Sequence, residues 1–187
     1  EFSTRIDGSI VSTSSRDLRD GRGVLIRDNQ AAVIVDRVLE RCDATVADWV
    51  HPRLAFGDKF RTNFRGVSRP SETASIPLIF NSGVGFVRPD ELERGSELVD
   101  RWKVLVPMAG DGHGRDVSYV LGEPIALAPG SICTETYFVA GAFTTSMETL
   151  NFANYLATKF ARFLVLQRKV TQHLTPDRFQ FVPALDM

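Results

Sequence analysis

The sequence has few cysteines, only Cys42 and Cys133 among 187 residues. Because the two stand alone, they offer neither the paired spacing of a zinc site nor the framework of a disulfide-rich secreted protein, and they favour a reducing cytoplasm. Long apolar runs are also lacking. The longest strongly apolar stretch, around residues 160–166, is interrupted by Arg162 and is far shorter than the roughly 20 residues that a membrane span needs. No membrane partner is therefore expected.

Residues 1–23 are polar and lack the apolar core of a signal peptide. We expect this segment to be flexible and residues 24–187 to form one α+β domain, because a chain of this length that is 43% hydrophobic and 24% charged can bury a single core. The first residue is glutamate rather than methionine, which favours a fragment of a longer protein.

A basic excess is missing as well. The formal net charge is −1, whereas an independent nucleic-acid binder is usually clearly basic. The charges are nevertheless segregated: five basic residues and one acidic residue lie between positions 53 and 69, and the same numbers lie between positions 159 and 178. This asymmetry permits one basic face on a neutral protein, although scattered solvated charges explain the composition equally well.

Apolar residues recur with helical spacing in the first third of the chain. They predict a helix over about 29–42, with Asp28 or Asn29 as its N-cap. The face expected to be buried consists of Ala31, Ile34, Val35, Val38, Leu39 and Cys42.

A shorter helix is predicted near 46–50. Thr45 and Asp48 have the spacing of a capping box. We expect Trp49 to anchor this turn as a core residue.

The strongest local pattern predicts a long helix over about 146–170. Thr145 and Glu148 have the spacing of a capping box at its start. The segment FQFVP after it is expected to be a short strand or an extended closing segment. The buried stripe of the helix is predicted to be Ala153, Leu156, Ala157, Phe160, Phe163 and Leu164.

Between these helices the pattern is typical of strands. Four short segments are rich in β-branched and aromatic residues and are bounded by turn residues. We therefore expect an α+β fold with a central, mostly antiparallel or mixed sheet, an N-terminal helix and a long C-terminal helix. The four predicted strands are IPLIF, WKVLVP, SYVLG and ICTETYFVAG.

Motifs that carry catalysis are scarce. The segment AGDGHGR (109–115) has the glycines of a phosphate or cofactor loop, but a strand-like segment follows it where such loops need a helix. A hairpin loop is the preferred interpretation. Pro89 and Asp90 begin a metal-nuclease pattern that lacks its Glu-x-Lys, and no nucleophile is evident beside His51, His113 or His173. We expect no cofactor, no metal and no catalytic residue on this chain.

Four longer motifs resemble a known family. They are FGDKFRTNFRG (56–66), DRWKVLVPMAG (100–110), LGEPIALAPGSICTETYFVAGAF (121–143) and NYLATKFARFLVLQRKVTQHLTPDRFQFVPALDM (154–187). In this order they are similar to the C-terminal region of bacterial type II restriction-modification adenine methyltransferases. The likeness is greatest to those that combine endonuclease and methyltransferase activities in one polypeptide.

The resemblance implies a longer parent protein. An upstream methyltransferase domain would bind S-adenosylmethionine and hold the extruded adenine with an Asn-Pro-Pro-Tyr motif, which is absent here. The parent endonuclease would use Mg²⁺. This chain would be the target-recognition domain, with double-stranded DNA and the upstream domain as its partners. The alternative is a scaffold domain that joins the two activities without reading DNA.

The basic segments supply the candidate DNA-contacting residues, since Arg, Asn and Gln read base edges and Lys binds phosphate. Alternatively, Arg168 and Lys169 only complement the negative end of their helix, and Asn63 only makes a turn. The candidates are Lys59, Arg61, Asn63 and Arg65 in one loop, and Arg168, Lys169, Gln172 and His173 in another.

Overall fold

The computed structural model describes residues 1–17, 21–109, 119–169 and 173–187. Most of the glycine-rich loop, with His113, lies outside these ranges, and so does Gln172.

Strands occur in runs along the chain with helices between and after them, and the predicted α+β class is confirmed. Single 3₁₀ turns lie at Val46–Asp48, Pro89–Glu91 and Pro176–Phe179. The regular elements are β1 (Phe2–Ile6), β2 (Ser9–Ser14), α1 (Asn29–Leu39), β3 (Ile76–Phe80), β4 (Gly83–Val87), α2 (Ser96–Val99), β5 (Trp102–Pro107), β6 (Ile125–Leu127), β7 (Ile132–Cys133), β8 (Tyr137–Phe143), α3 (Ser146–Ala157) and α4 (Lys159–Arg168).

The described strands form three small sheets rather than the single central sheet predicted from the sequence. Strands β1 and β2 make a hairpin, within the segment for which the sequence predicts flexibility. A mixed sheet has the order β4-β3-β7, with β3 and β7 parallel. An antiparallel sheet has the order β6-β5-β8.

Strand β5 lies between two apolar clusters, because its side chains alternate between the two faces of the sheet. Val104 and Val106 pack with α1, α3, α4 and the C-terminal segment. Leu105, on the opposite face, packs with β3, β7 and the aromatic residues Phe56 and Phe60. The antiparallel sheet is therefore covered on both sides.

Helix α1 confirms the predicted N-cap. The side chain of Asp28 accepts hydrogen bonds from the backbone N–H groups of Gln30 and Ala31, at 2.7 and 3.0 Å. The helix ends at Leu39, three residues before its predicted end, in a tighter turn. One face prediction is wrong: Ile34 is 42% exposed.

The turn at 46–48 is shorter than the predicted helix, and the side chain of Thr45 makes no capping hydrogen bond. Thr45 instead pairs with Pro183 as an isolated β-bridge. Trp49 is half-buried, with its ring 5.4 Å from that of Phe152 and 5.9 Å from that of Phe143.

The long C-terminal helix is two helices, which corrects the prediction of one helix over 146–170. The capping box of Thr145 and Glu148 is confirmed. Thr158 breaks the run: its backbone is extended, and its hydroxyl accepts a hydrogen bond from the N–H of Ala161 at 3.1 Å. This side chain competes with the helical hydrogen bond. The break shifts the buried stripe, so that Phe160 is 44% exposed, Ala157 is exposed and Phe152 is fully buried.

Two of the four predicted strands need correction. IPLIF and WKVLVP form β3 and β5 as predicted. Residues 119–122 of SYVLG have no strand conformation, and ICTETYFVAG divides into β7 and β8, which belong to different sheets.

The segment FQFVP is not a strand. Phe179 ends a 3₁₀ turn, and Phe181 lies in the turn that follows. Both rings are buried, because the turn directs them into the same core rather than to alternate faces.

Candidate nucleic-acid interface

The four predicted residues of the first basic segment lie on one exposed loop. All four side chains are exposed: Lys59, Arg61, Asn63 and Arg65. Phe56 and Phe60, in the same stretch of chain, have buried rings, and strand β3 follows. We call residues 53–69 the basic loop. The structure thus brings the first candidate set together at the surface.

A buried carboxylate organises the basic loop. Glu135, in the break between β7 and β8, is 7% exposed. Its Oε1 accepts hydrogen bonds from the N–H and the hydroxyl of Thr62, at 2.9 and 2.8 Å. Its Oε2 accepts from Nε of Arg53 at 2.9 Å and from Nη2 of the same side chain. Its own N–H donates to the carbonyl of Phe60 at 2.8 Å.

These hydrogen bonds decide the charge of Glu135. Burial by itself raises the pKa of this carboxyl, but the hydrogen bonds from Thr62 and Arg53 outweigh burial and lower the pKa to about 2. Glu135 is therefore ionised at neutral pH. Arg61 also lies near it, with Nη1 at 3.9 Å from Oε2, so that two guanidinium groups share one carboxylate.

The ionised Glu135 should contribute stability that depends on pH. Because its folded pKa is below the ordinary value of 4.5, the contribution is complete above about pH 4.5 and is lost as the pH falls toward 2. We expect the melting temperature of Glu135→Gln to fall less steeply than that of the unmodified chain between pH 4.5 and 2.5. Glu72 is exposed just after the basic loop, and Glu72→Gln is the control. Its melting temperature should fall with pH as steeply as that of the unmodified chain. Parallel curves for all three proteins would contradict this assignment.

Close backbone packing fixes the other side of the basic loop. The loop pairs with β4 through Val67 and Phe86, whose N–H and carbonyl groups exchange hydrogen bonds of 2.9 Å. A Cβ atom on Gly85 would lie 1.8 Å from the carbonyl oxygen of Arg65, and one on Gly66 would lie 2.3 Å from that of Phe86. Only glycine permits this approach.

The charges of the basic loop are only partly neutralised within the described residues. Lys59 pairs with Glu91. Arg65 has no carboxylate partner there: its Nη1 donates to the carbonyls of Thr62 and Phe64, at 2.6 and 2.9 Å. Its guanidinium also lies 4.6 Å from the centre of the Phe80 ring. The loop therefore presents an ordered, uncompensated guanidinium at the surface.

The second predicted segment is corrected by the structure. Arg168 and Lys169 are 7% and 5% exposed. Nη1 of Arg168 donates to the carbonyl of Arg22, and its guanidinium lies 4.9 Å from the centre of the Phe181 ring. Nζ of Lys169 donates to the carbonyl of Val120 at 2.8 Å. These cations join distant segments of the fold and are not part of an exposed surface.

The sequence suggests Arg168 and Lys169 as the cations at the end of helix α4, but the contact is made by Arg178. Nη1 of Arg178 donates to the carbonyl of Arg168, the last residue of the helix, at 3.0 Å. This contact complements the negative end of the helix dipole.

Of the second candidate set, His173 is exposed and lies near the basic loop. Its backbone pairs with Ala109, and the N–H of Leu174 donates to the carbonyl of Met108 at 3.0 Å. His173 lines a cavity of about 110 Å³ together with Arg53 of the basic loop. His173 therefore lies beside Arg53 of the basic loop at a shared cavity. Gln172 lies outside the described residues.

A larger cavity, of about 370 Å³, lies between the C-terminal segment and the start of α3. Carboxylates of Asp48, Glu148 and Asp186 line it. Negative charge of this kind repels a phosphate backbone. Glu148 is also already engaged in its capping box.

Histidine, cysteine, aspartate and glutamate side chains form no group of three suited to a metal ion within the described ranges. Among the helices described, none combines the length and apolar character that crossing a bilayer requires.

Sequence reasoning missed the residues that support the basic loop. Glu135 and Thr62 were not identified, although TET interrupts an otherwise apolar strand pattern in ICTETYFVAG. A charged residue flanked by threonines within such a pattern is the signal that was available, because a buried charge needs hydrogen-bonding partners.

Comparison with known proteins does not identify a relative. No protein-family model matches the chain, and no curated protein or solved structure matches it significantly. The resemblance to restriction-modification methyltransferases therefore stays a prediction from the sequence motifs.

Proposed function

We propose that this chain is the DNA target-recognition domain of a bacterial restriction-modification adenine methyltransferase with a fused endonuclease. One structural observation carries the proposal: the basic loop exposes Lys59, Arg61, Asn63 and Arg65 and is held by the buried Glu135. Side chains that read DNA must be exposed and must be held in position, since a base contact depends on geometry.

The residue types of the basic loop suit duplex DNA. Lysine binds phosphate oxygens, whereas arginine pairs with guanine and asparagine with adenine in the major groove. The domain would act in the cytoplasm and position the duplex for an upstream domain, which would supply S-adenosylmethionine and the catalytic motif. The buried Arg168 and Lys169 are no longer part of the proposed surface.

The test is binding of the 187-residue chain to labelled duplexes with randomised cores, across a salt series, followed by selection of preferred sequences. We expect Lys59→Ala to reduce the slope of log affinity against log salt by about one, because one phosphate contact is lost. Arg65→Ala should weaken binding to selected sequences by about 1 to 3 kcal/mol and have little effect on random sequences.

Arg37→Ala is the matched control, since Arg37 is exposed on α1, and its affinity and salt slope should equal those of the unmodified chain. If both loop variants also bind unchanged while their melting temperatures are preserved, the DNA proposal fails.

A second function, a scaffold domain between the endonuclease and methyltransferase parts, is favoured by a different surface. Exposed apolar side chains occur on the hairpin, on α1 and on the segment between them, and exposed apolar groups can mark protein contacts. In that case Ile34→Asp should abolish binding to a separately expressed methyltransferase domain without lowering the melting temperature. The exposed fractions are 54% for Ile10, 52% for Val11, 49% for Leu25, 49% for Val33 and 42% for Ile34.

A further inference from the structure

The cavity of about 110 Å³ beside the basic loop combines two kinds of lining. Its polar side chains come from the loop and from two histidine-containing segments, whereas the rest of the lining is apolar. The polar residues are His51, Arg53, His173 and Thr175, and the apolar residues are Val50, Met108, Phe138, Leu174 and Pro176.

Arg53 has donor capacity left at this cavity. Its side chain is 58% exposed. Glu135 accepts from Nε and Nη2, and Nη1 makes no hydrogen bond within the described ranges. A guanidinium presents its donors as a planar fork, so an arginine held along one edge can donate to a second anion along another.

The charge balance at the cavity favours an anion. Arg53 and Arg61 share the single carboxylate of Glu135, which leaves one positive charge in excess among the three groups. The excess positive charge attracts an anion to this side of the cavity.

Two histidines also line the cavity, and one of them, His51, lines the larger cavity as well. The backbone N–H of His51 donates to the carbonyl of Val139 at 2.9 Å, which fixes its segment against β8. Burial lowers the pKa of His51, partly opposed by the negative charge of Glu97, so the ring is neutral at pH 7 with one N–H donor. His173 is exposed, in a segment that is distant from His51 in the sequence.

We propose that Arg53, His51 and His173 form a subsite for a phosphate group, with the attached deoxyribose packed against the apolar lining. Assigning the phosphate to a DNA backbone rests on the proposed function, and a small phosphorylated ligand shares the same chemistry. The guanidinium fork matches phosphate geometry. The subsite extends the DNA-contacting surface from the basic loop to residue 173.

The experiment is a titration of the full chain with inorganic phosphate and with 2-deoxyribose 5-phosphate, followed by NMR of the histidine rings and of the Arg53 Nε–H group. Both probes should shift these signals, and the sugar phosphate should bind more tightly. Arg53→Lys keeps a cation beside Glu135 but loses the fork, and should weaken binding about tenfold, as for one charge-assisted hydrogen bond. Arg37→Lys, on α1, should bind as the unmodified chain does.

His173→Ala provides a second variant that leaves the Glu135 pair intact, and it should also weaken binding of the sugar phosphate. Unchanged binding in both Arg53→Lys and His173→Ala, or saturating probe without signal shifts, would overturn the subsite.

Duplex binding separates this proposal from the function on which it rests. If duplexes bind and respond to Arg65→Ala but not to Arg53→Lys, the subsite is wrong while DNA recognition stands. If no duplex binds but the sugar phosphate does, and Arg53→Lys weakens it, the subsite belongs to a small phosphorylated ligand and DNA recognition is wrong.

Discussion

Replacing Phe152 by Ala is expected to lower the free energy of unfolding by about 3 to 5 kcal/mol, as for other fully buried phenylalanines. Phe152 has no exposed surface, and its ring lies 5.4 Å from that of Trp49 and 5.2 Å from that of Phe143. The substitution removes these contacts and leaves a cavity between α3 and the antiparallel sheet. Urea denaturation measures the loss.

Phe160→Ala is the matched control for this prediction. It makes the same chemical change eight positions along the chain, but Phe160 is 44% exposed, so the loss should be below about 1 kcal/mol. Comparable losses at the two positions would contradict the break at Thr158 and restore one continuous helix with Phe160 in its buried stripe.

Replacing Gly85 by Ala is expected to lower the free energy of unfolding by about 3 kcal/mol, at the upper end of the effects of overpacking. The added Cβ atom would lie 1.8 Å from the carbonyl oxygen of Arg65, so the backbone of the basic loop or of β4 must move. We also expect faster amide hydrogen exchange at Val67 and weaker binding to DNA, because the same movement displaces Arg65. Denaturation, exchange and duplex binding measure the three effects.

Val84→Ala, in the same strand, is the control, since Val84 is 51% exposed and its truncation should change stability by less than about 0.5 kcal/mol. Wild-type stability and exchange in Gly85→Ala would show that the basic loop does not rest on β4.

Features determined by neighbouring residues could be predicted from the sequence. The cap at Asp28 and the capping box of Thr145 and Glu148 each involve residues at most three positions apart. Strand β5 was also predictable, since a short run bounded by turns and rich in β-branched residues is typical of a buried strand.

The exposure of the second basic segment could not be predicted, because it depends on residues far away in the chain. Arg168 bonds to a carbonyl 146 residues earlier, and Lys169 to one 49 residues earlier. A cation near a helix end has the same local pattern whether it is solvated or buried. Whether such a cation is solvated or buried is decided here by the packing of residues 22 and 120 against the end of α4.

The basic loop illustrates the opposite case. Its cations were expected at the surface from the segregated charge together with the family resemblance, and they are exposed. What holds them could not be derived, since Glu135 and Thr62 are 73 residues apart. A carboxylate in the middle of an apolar segment shows that partners exist without showing which ones.

The contacts of Arg168 with Arg22, and of Val182 with Val46, also have a consequence for how the chain folds. The first joins residues 146 positions apart, and in the second the Val46 N–H donates to the Val182 carbonyl at 2.8 Å. Such a high contact order slows folding, because a long loop must close before these contacts form. At ordinary rates of translation, the segment around Arg22 waits roughly 7 to 30 s for its partner to be synthesised. Until then the apolar cluster around α1 lacks its C-terminal members, and we expect the nascent chain to depend on chaperones that bind exposed apolar segments.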